Sequence, residues 1–252
     1  SYPTLVNVHG GPFTQYGNGF FDEFQMQARA GYVVIWCNPR GSSGREETFG
    51  RAICGPPLGG SGWGSVDYDD VMALVDAAVA SYPSVDADRL GILGGSYGGY
   101  MTSWVVGHTD RFKAACSERA CNNLQSLEWA SDAAGAFRTW VGVSHLDDPQ
   151  LWLSMSPITY VKSIGTPLLI VHSEGDLRCP IEQADQLFVA LRMLEREVEL
   201  VRFPGEGHEL SRSGSPAHRR QRIEIILEFF GRHLHPAGTD DGPQKGALTG
   251  QA

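Results

Sequence analysis

Short apolar runs alternate with segments of helical spacing along most of the chain. Six runs are mostly continuous in apolar residues, which is the pattern of strands buried on both faces of a sheet; they cover residues 4–8, 32–37, 89–93, 112–116, 166–172 and 198–203. Apolar residues at helical spacing predict helices over 20–30, 65–79, 100–106, 181–194 and 217–234. Strands that alternate with helices predict an α/β fold, with a mainly parallel, doubly wound sheet and helices on both faces.

Two internal segments depart from this alternation. Residues 50–64 are rich in Gly and Pro and predict an irregular loop. Residues 121–156 divide into short pieces that carry several aromatic residues and one charge that looks buried, namely Trp129, Phe137, Trp140, Trp152 and Arg138. Such an insert either lines a substrate pocket or forms surface helices packed by their aromatic side chains.

Length and composition narrow the classes of protein. A chain of 252 residues suits one α/β domain, placed here over 1–234, and the polar residues 235–252 predict a disordered tail. The net charge of −9 argues against a nucleic-acid partner, and no stretch approaches the roughly 20 apolar residues of a membrane span. No signal peptide is apparent before the first strand. Five Cys without metal-ligand spacing predict free thiols, a reduced cytoplasmic location and no metal site.

The sequence Gly-Gly-Ser-Tyr-Gly at 94–98 lies between a predicted strand and a predicted helix. A strand that turns sharply into a helix at Gly-x-Ser-x-Gly is a nucleophile elbow, and it presents the serine hydroxyl at its tip. Glycine is expected at 94 and 98 because side chains there would collide with the neighbouring strand and helix. Ser96 is therefore the candidate nucleophile, and the alternative is a glycine-rich turn with a solvated serine.

The turn His-Gly-Gly-Pro at 9–12 follows the first predicted strand. A glycine turn at this point supplies an oxyanion N–H in the HGGG-type loops of lipases and esterases. We expect the N–H groups of Gly11 and Tyr97 to form the oxyanion hole and His9 to brace the loop through hydrogen bonds. The alternative is an ordinary tight turn.

Asp176 and His208 each follow the end of a predicted strand, as Ser96 does. The carboxyl ends of parallel strands lie at one edge of a sheet, so the three side chains can meet there. Their order along the chain is that of α/β-hydrolases. In such a triad the histidine accepts the serine proton, and the aspartate holds the other ring nitrogen and stabilises the imidazolium. This mechanism requires no cofactor.

Five motifs together resemble the prolyl oligopeptidase family of serine peptidases, and most of all its acylaminoacyl-peptidase branch. They are Gly-Gly-Ser-Tyr-Gly-Gly-Tyr at 94–100, His-Gly-Gly-Pro at 9–12, Asn-Pro-Arg-Gly-Ser at 38–42, His-Ser-Glu-Gly-Asp-Leu-Arg-Cys-Pro at 172–180 and Gly-Glu-Gly-His-Glu at 205–209. The resemblance runs from residue 2 to about 234. It implies the same triad and oxyanion hole, and cleavage of short peptides rather than folded proteins.

The resemblance also implies substrate contacts and a larger protein. Arg138 lies where some relatives place a pocket residue, and Trp140 is expected at the apolar pocket wall. Members of the family usually carry an N-terminal β-propeller and further sheet strands, neither of which is present, so we expect this chain to be the catalytic domain of a longer protein. Homo-oligomerisation is left open.

Three functions are compatible with these observations. The first is a serine peptidase that hydrolyses short peptides or N-acylated aminoacyl peptides through an acyl-enzyme. The second is a carboxylesterase that uses the same triad. The third is a catalytically silent interaction domain.

Overall fold

A parallel sheet organises residues 1–235, which are the residues that the computed structural model describes. Its strands are β1 (Tyr2–Val8), β2 (Val33–Trp36), β3 (Val85–Gly95), β4 (Ala114–Glu118), β5 (Leu168–Ser173) and β6 (Val198–Phe203). They lie in the order β2-β1-β3-β4-β5-β6, and every adjacent pair is parallel. The predicted parallel sheet is confirmed. Apart from His235, the predicted tail over 235–252 lies outside the described residues.

Helices connect the strands and cover both faces of the sheet. In chain order they are α1 (Asp22–Arg29), α2 (Glu47–Arg51), α3 (Val66–Ser81), α4 (Tyr97–Val106), α5 (Leu124–Ala130), α6 (Ala136–Val141), α7 (Pro149–Ser154), α8 (Glu182–Met193), α9 (Leu210–Ser213) and α10 (Pro216–Leu234). Short 3-10 helices cover Pro56–Leu58 and Pro157–Ser163. None of the helices within residues 1–235 combines the length and apolar composition that crossing a membrane requires.

The apolar side chains of the sheet alternate between two cores. In β1, Leu5 packs with Phe229 and Phe230 of α10, whereas Val6 packs in the core that contains Val71 of α3. This alternation follows from the two-residue period of a strand. The sheet is therefore buried on both faces, as its continuous apolar runs predicted.

A carboxylate inside the first turn of α3 holds the start of this helix. Ser65 occupies the N-cap position but makes no side-chain capping hydrogen bond. The carboxylate of Asp67 instead accepts hydrogen bonds from the backbone N–H groups of Gly64, Ser65 and Tyr68 at 2.7–3.1 Å. The Ser65 hydroxyl instead bonds the Gly62 carbonyl and the Ser61 hydroxyl.

The insert over residues 121–156 contains α5, α6 and α7, and one buried carboxylate joins them. Glu128 accepts hydrogen bonds from Arg138 Nε at 2.8 Å and from the backbone N–H of His145 at 3.1 Å. Burial alone would raise the pKa of Glu128, but these bonds outweigh burial and lower it. The expectation that Arg138 is buried is wrong: its side chain is 52% exposed, and the buried charge is Glu128.

Glu118 and Arg222 form a buried ion pair between the end of β4 and α10. The guanidinium of Arg222 bonds both carboxylate oxygens of Glu118 and reaches Glu23 of α1 at 3.1 Å. The Arg222 and Glu118 side chains are about 95% buried. Burial alone would lower the pKa of Arg222, but the two carboxylates outweigh it and raise this pKa. The pair therefore fixes two helices against the strand that lies beside β3.

Removing one partner of this pair is expected to destabilise the fold. Arg222→Met should lower the free energy of unfolding by about 3–5 kcal/mol, because Glu118 is left buried without its counter-ion. The double variant Glu118→Leu, Arg222→Met should lose less, because no unpaired charge remains. Urea unfolding followed by circular dichroism measures both.

The matched control is Arg232→Met, on the same helix. Arg232 pairs with Glu199 and Glu228 and is 45% exposed. Its removal should change the free energy of unfolding by only about 0.5 kcal/mol, because exposed ion pairs contribute little. A loss below about 1 kcal/mol for Arg222→Met would contradict the assignment of a buried, structure-bearing pair.

Candidate active site

Ser96, His208 and Asp176 form one chain of hydrogen bonds at the carboxyl edge of the sheet. His208 Nε2 lies 3.0 Å from Ser96 Oγ, and His208 Nδ1 lies 2.7 Å from Asp176 Oδ2. Ser96 follows β3, His208 follows β6 and Asp176 follows β5. Along the sequence, His208 lies 112 positions after Ser96 and 32 positions after Asp176. The fold thus brings together the three side chains that the sequence predicted as a triad.

Ser96 occupies a backbone conformation that few side chains adopt. Its φ is 62° and its ψ is −121° at the junction of β3 and α4. An ideal Cβ at Gly94 or Gly98 would lie 2.5 or 2.1 Å from the Val8 carbonyl oxygen, so no side chain fits at either position. The two glycines let the turn lie against β1, and the sharp turn leaves the serine partly exposed at the start of α4.

The backbone holds the Asp176 carboxylate in place. Oδ1 accepts hydrogen bonds from the N–H groups of Arg178 and Cys179, both at 2.9 Å, while Oδ2 faces His208. The Asp176 side chain is fully buried, and that of His208 is 12% exposed. A buried carboxylate held from one side presents its other oxygen to the imidazole in a fixed direction, as the orienting member of a triad must.

The loop at residues 9–12 lies directly against the nucleophile. An ideal Cβ on Gly10 would be 3.5 Å from Ser96 Cβ, and Gly11 has a φ of 121°, where glycine is favoured. His9 braces this loop, as expected: Nδ1–H donates to the Gly10 carbonyl at 2.6 Å, and Nε2 accepts from the Ser42 hydroxyl at 2.8 Å. Burial lowers the pKa of His9, which favours the neutral form of its ring.

Tyr97, the residue after the nucleophile, is anchored by its side chain. The fully buried hydroxyl donates to Asp67 Oδ2 at 2.5 Å. Burial, and then the charge of Asp67, raise the pKa of the phenol, which therefore remains a donor. This bond ties the first residue of α4 to the start of α3 and fixes the peptide that carries the Tyr97 N–H.

His172 lies behind the triad, inside β5. It is buried, as its position in a predicted strand indicated, and its Nε2–H donates to the Cys179 carbonyl at 2.7 Å. The same nitrogen lies 3.6 Å from Asp176 Oδ2. Burial lowers the pKa of His172, so we assign it a neutral ring that supports the Asp176 loop.

A small apolar cavity lies beside the elbow, on the side of the insert. Its lining includes Ile53, Trp63, Leu124, Phe137, Trp140 and Met155. Trp63 contacts the Tyr97 ring edge-on at 5.1 Å between centroids, and Trp140 contacts Phe13, two residues after Gly11, at 5.3 Å. The rings of Trp63 and Trp140, which line the cavity, therefore connect it to the elbow at Tyr97 and to Phe13, just after the loop at 9–12. Arg138 is absent from its lining, since it points to Glu128.

Sequence reasoning missed two groups that shape the site. Asp67 lies in a predicted helix and gave no sign of a role at the site, because its bond to Tyr97 joins positions 30 residues apart. Arg119 follows β4 directly, and the prediction that this strand ends at 116 concealed that position. The signal available for Arg119 was the same as for the triad, a chemically active residue one position past a strand end.

Comparison with known proteins agrees with this geometry. The sequence pattern of the prolyl oligopeptidase family matches residues 18–237. The uncharacterized peptidase YuxL of Bacillus subtilis is 46% identical over 236 residues, which are 93% of this chain and 35% of that protein. The acylamino-acid-releasing enzyme of Arabidopsis thaliana is 30% identical over 219 residues, which are 83% of this chain and 28% of that protein.

Solved structures give the same result. Acylaminoacyl peptidase from Pyrococcus horikoshii superposes with a TM-score of 0.88 and 34% identity, over 95% of this chain and 38% of that protein. An acylaminoacyl peptidase in complex with Z-Gly-Gly-Phe-chloromethyl ketone gives a TM-score of 0.87 and 35% identity, over 95% of this chain and 38% of that one. The chain spans about a third of the length of these relatives. The predicted α/β-hydrolase fold is confirmed, and the chain belongs to the prolyl oligopeptidase family.

Proposed function

We propose that this chain is the catalytic part of a serine peptidase that hydrolyses short or N-acylated peptides through an acyl-enzyme. The observation that carries the proposal is the hydrogen-bond chain from Ser96 Oγ through His208 to Asp176, assembled at 3.0 and 2.7 Å. A serine hydroxyl is a weak nucleophile unless a base accepts its proton as it attacks. Here that base is in contact with the hydroxyl and is itself oriented.

In the acylation half-reaction, Ser96 Oγ attacks the scissile carbonyl carbon while His208 Nε2 takes the hydroxyl proton. Asp176 stabilises the imidazolium that forms and fixes its tautomer. The N–H groups of Gly11 and Tyr97 bind the developing oxyanion, a contribution of about 3–4 kcal/mol per donor. His208 then returns the proton to the leaving amine, the C–N bond breaks, and the acyl group stays on Ser96.

In the deacylation half-reaction, water takes the place of the leaving amine. His208 accepts a proton from the water as its oxygen attacks the acyl carbon, and then returns the proton to Ser96 Oγ as the acid product leaves. Both half-reactions use the same oxyanion hole. The chain's own residues therefore supply the nucleophile, base and electrostatic stabilisation.

The apolar lining of the cavity supports a substrate whose acyl residue is apolar. This lining is aromatic and aliphatic, and it adjoins the residue after the nucleophile. A related acylaminoacyl peptidase holds an inhibitor with Phe next to the chloromethyl ketone. We place the acyl residue's side chain against Trp140, and we retain Arg138 as a binding residue, since Glu128 engages only its Nε.

Two further expectations belong to this proposal, and two alternatives stand beside it. We expect a β-propeller, which limits access to the site, in the part of the relatives' length that this chain does not cover. The five free cysteines support a reduced, cytoplasmic location. The carboxylesterase alternative uses the same geometry and is separated from a peptidase only by the substrate that is cleaved, whereas an assembled triad argues against a silent domain.

Ser96→Ala should abolish turnover. For an acetyl-phenylalanyl anilide and a short-chain nitrophenyl ester, kcat should fall by about 10⁴-fold or more, because the residual oxyanion hole alone is a poor catalyst. A fluorophosphonate should label Ser96 in the wild-type chain, as peptide mass spectrometry can show. Cleavage of the ester but not the anilide would favour the esterase.

The control for this variant is Ser81→Ala, at the exposed end of α3. It should leave both rates and the labelling unchanged, and circular dichroism should show both variants folded. A folded Ser96→Ala variant with undiminished turnover would reject the assignment of the nucleophile.

The rate should fall as the pH is lowered, because a single proton-accepting group is lost. A protonated His208 cannot accept the proton of Ser96, whereas burial lowers the pKa of His9 and of His172 and so favours their neutral forms. A plot of log kcat/KM against pH should therefore have a limiting slope of one. In His172→Gln the fall in rate should occur at the same pH as in the wild type. A slope of two, or a fall that shifts to another pH in His172→Gln, would contradict this.

Trp140→Ala should lower selectivity for a large acyl residue. The ratio of kcat/KM for acetyl-Phe anilide to that for acetyl-Ala anilide should fall by about 10-fold or more, because part of the apolar wall is lost. Arg138→Met is the matched variant on the same helix, and it should raise KM for both substrates without changing their ratio. An unchanged ratio in Trp140→Ala would place the acyl residue elsewhere.

A further inference from the structure

Arg119 lies beside the nucleophile, directly after β4. Its φ of 37° is uncommon for a long side chain. The guanidinium packs over Gly95, where an ideal Cβ would lie 2.7 Å from Cζ and from one Nη atom. Standard bond lengths then put the guanidinium carbon within about 8 Å of the Ser96 Cα. Glycine at 95 makes room for this cation next to the catalytic serine.

The guanidinium of Arg119 makes no hydrogen bond or ion pair within residues 1–235, and its Nε is buried without a partner. The carboxylates around it are engaged by other arginines: Arg222 holds Glu118 and Glu23, and Arg212 holds Glu209. Burial lowers the pKa of Arg119, and the negative charge of Glu118 opposes this shift without a hydrogen bond between the two side chains. The Arg119 residue as a whole is half-buried, and leaving a half-buried cation without a counter-ion is unfavourable, so a site that retains one has a use for positive charge.

Arg119 and the apolar cavity adjoin different residues of the turn at Ser96: the guanidinium packs over Gly95, and the cavity wall contacts Tyr97. The cavity adjoins Tyr97 on the side of α5 and α6. Arg119 lies on the side of α10 and the loop of His208: the pKa of Glu209, the next residue, is lowered first by its bond to Arg212 and to a smaller extent by the charge of Arg119. His208 donates its proton to the leaving amine, so the leaving group lies next to the loop of His208, which the charge of Arg119 also reaches.

We infer that Arg119 binds the C-terminal carboxylate of a short leaving group, and so makes peptides with one or two residues after the scissile bond the preferred substrates. This inference rests on the proposed peptidase function. One residue spans about 3.3–3.6 Å of extended backbone, so the carboxylate of a single leaving residue reaches the neighbourhood of the guanidinium. A guanidinium donates two parallel hydrogen bonds to a carboxylate, a pairing that an amide cannot reproduce.

The test compares two peptides that differ only at the C-terminus, acetyl-Phe-Ala with a free carboxylate and its C-terminal amide. The wild-type chain should favour the free acid in kcat/KM by about 10- to 100-fold, the range for a hydrogen bond to a charged group. In Arg119→Met this ratio should fall to about one, and Arg119→Lys should retain part of it. The ratio is independent of any change in rate common to both peptides.

Arg212→Met is the matched control, because it removes a positive charge from the same neighbourhood. Its guanidinium is paired with Glu209 and 61% exposed, so the ratio should stay at the wild-type value. A ratio near one in the wild type, with both peptides cleaved, overturns the inference alone, whether or not the Arg119 variants fold. An Arg119→Met ratio equal to the wild type also overturns it. Cleavage of a nitrophenyl ester without either peptide rejects the peptidase function, and the inference with it.

Discussion

The backbone turn at Ser96 is the constraint on which the site depends. A residue held at a φ of 62° carries strain of about 1–3 kcal/mol, which persists only where the surroundings determine the conformation. Here β1 approaches so closely that its Val8 carbonyl excludes any Cβ at 94 or 98, and the Ser96 N–H donates to the Glu118 carbonyl at 3.0 Å. The two flanking strands thus hold the turn, and the parallel sheet is what makes a partly exposed serine in this strained conformation compatible with a stable fold.

The charges around this turn are fixed before any substrate binds. Asp176 is held by two backbone N–H groups, and the Tyr97 hydroxyl is held by Asp67. Donors and charges that are already oriented need no reorganisation as negative charge develops on the substrate, and this preorganisation is the largest single contribution in many enzymes. The buried pair of Glu118 and Arg222 contributes indirectly to this preorganisation. It fixes β4 against α10, and β4 accepts the hydrogen bond from the turn at Ser96.

Sequence alone predicted the sheet and the triad because both depend on local patterns. Continuous apolar runs mark strands buried on both faces, and the parallel topology brings the residues after their ends together. It failed where the stabilising partner is distant in sequence. Glu118 is polar inside a buried strand because Arg222 lies opposite, 104 positions away, so apolar patterning ended β4 too early. For the same reason Arg138 was taken as buried, although Glu128 is the buried member of that pair.

The glycine at 95 is explained by its neighbour in the fold and not by the motif around Ser96. The pattern Gly-x-Ser-x-Gly demands glycine only at its two ends, since those are the positions that meet β1 and α4. The glycine at 95 meets neither, and the atoms that a Cβ would strike belong to the Arg119 guanidinium. The elbow of this chain therefore accommodates a cation at Gly95 and an aromatic cavity next to Tyr97. Under the proposed function, a peptide bond at Ser96 has chemically different surroundings for its acyl and amine portions, so the proposed site can select the two halves of a substrate independently.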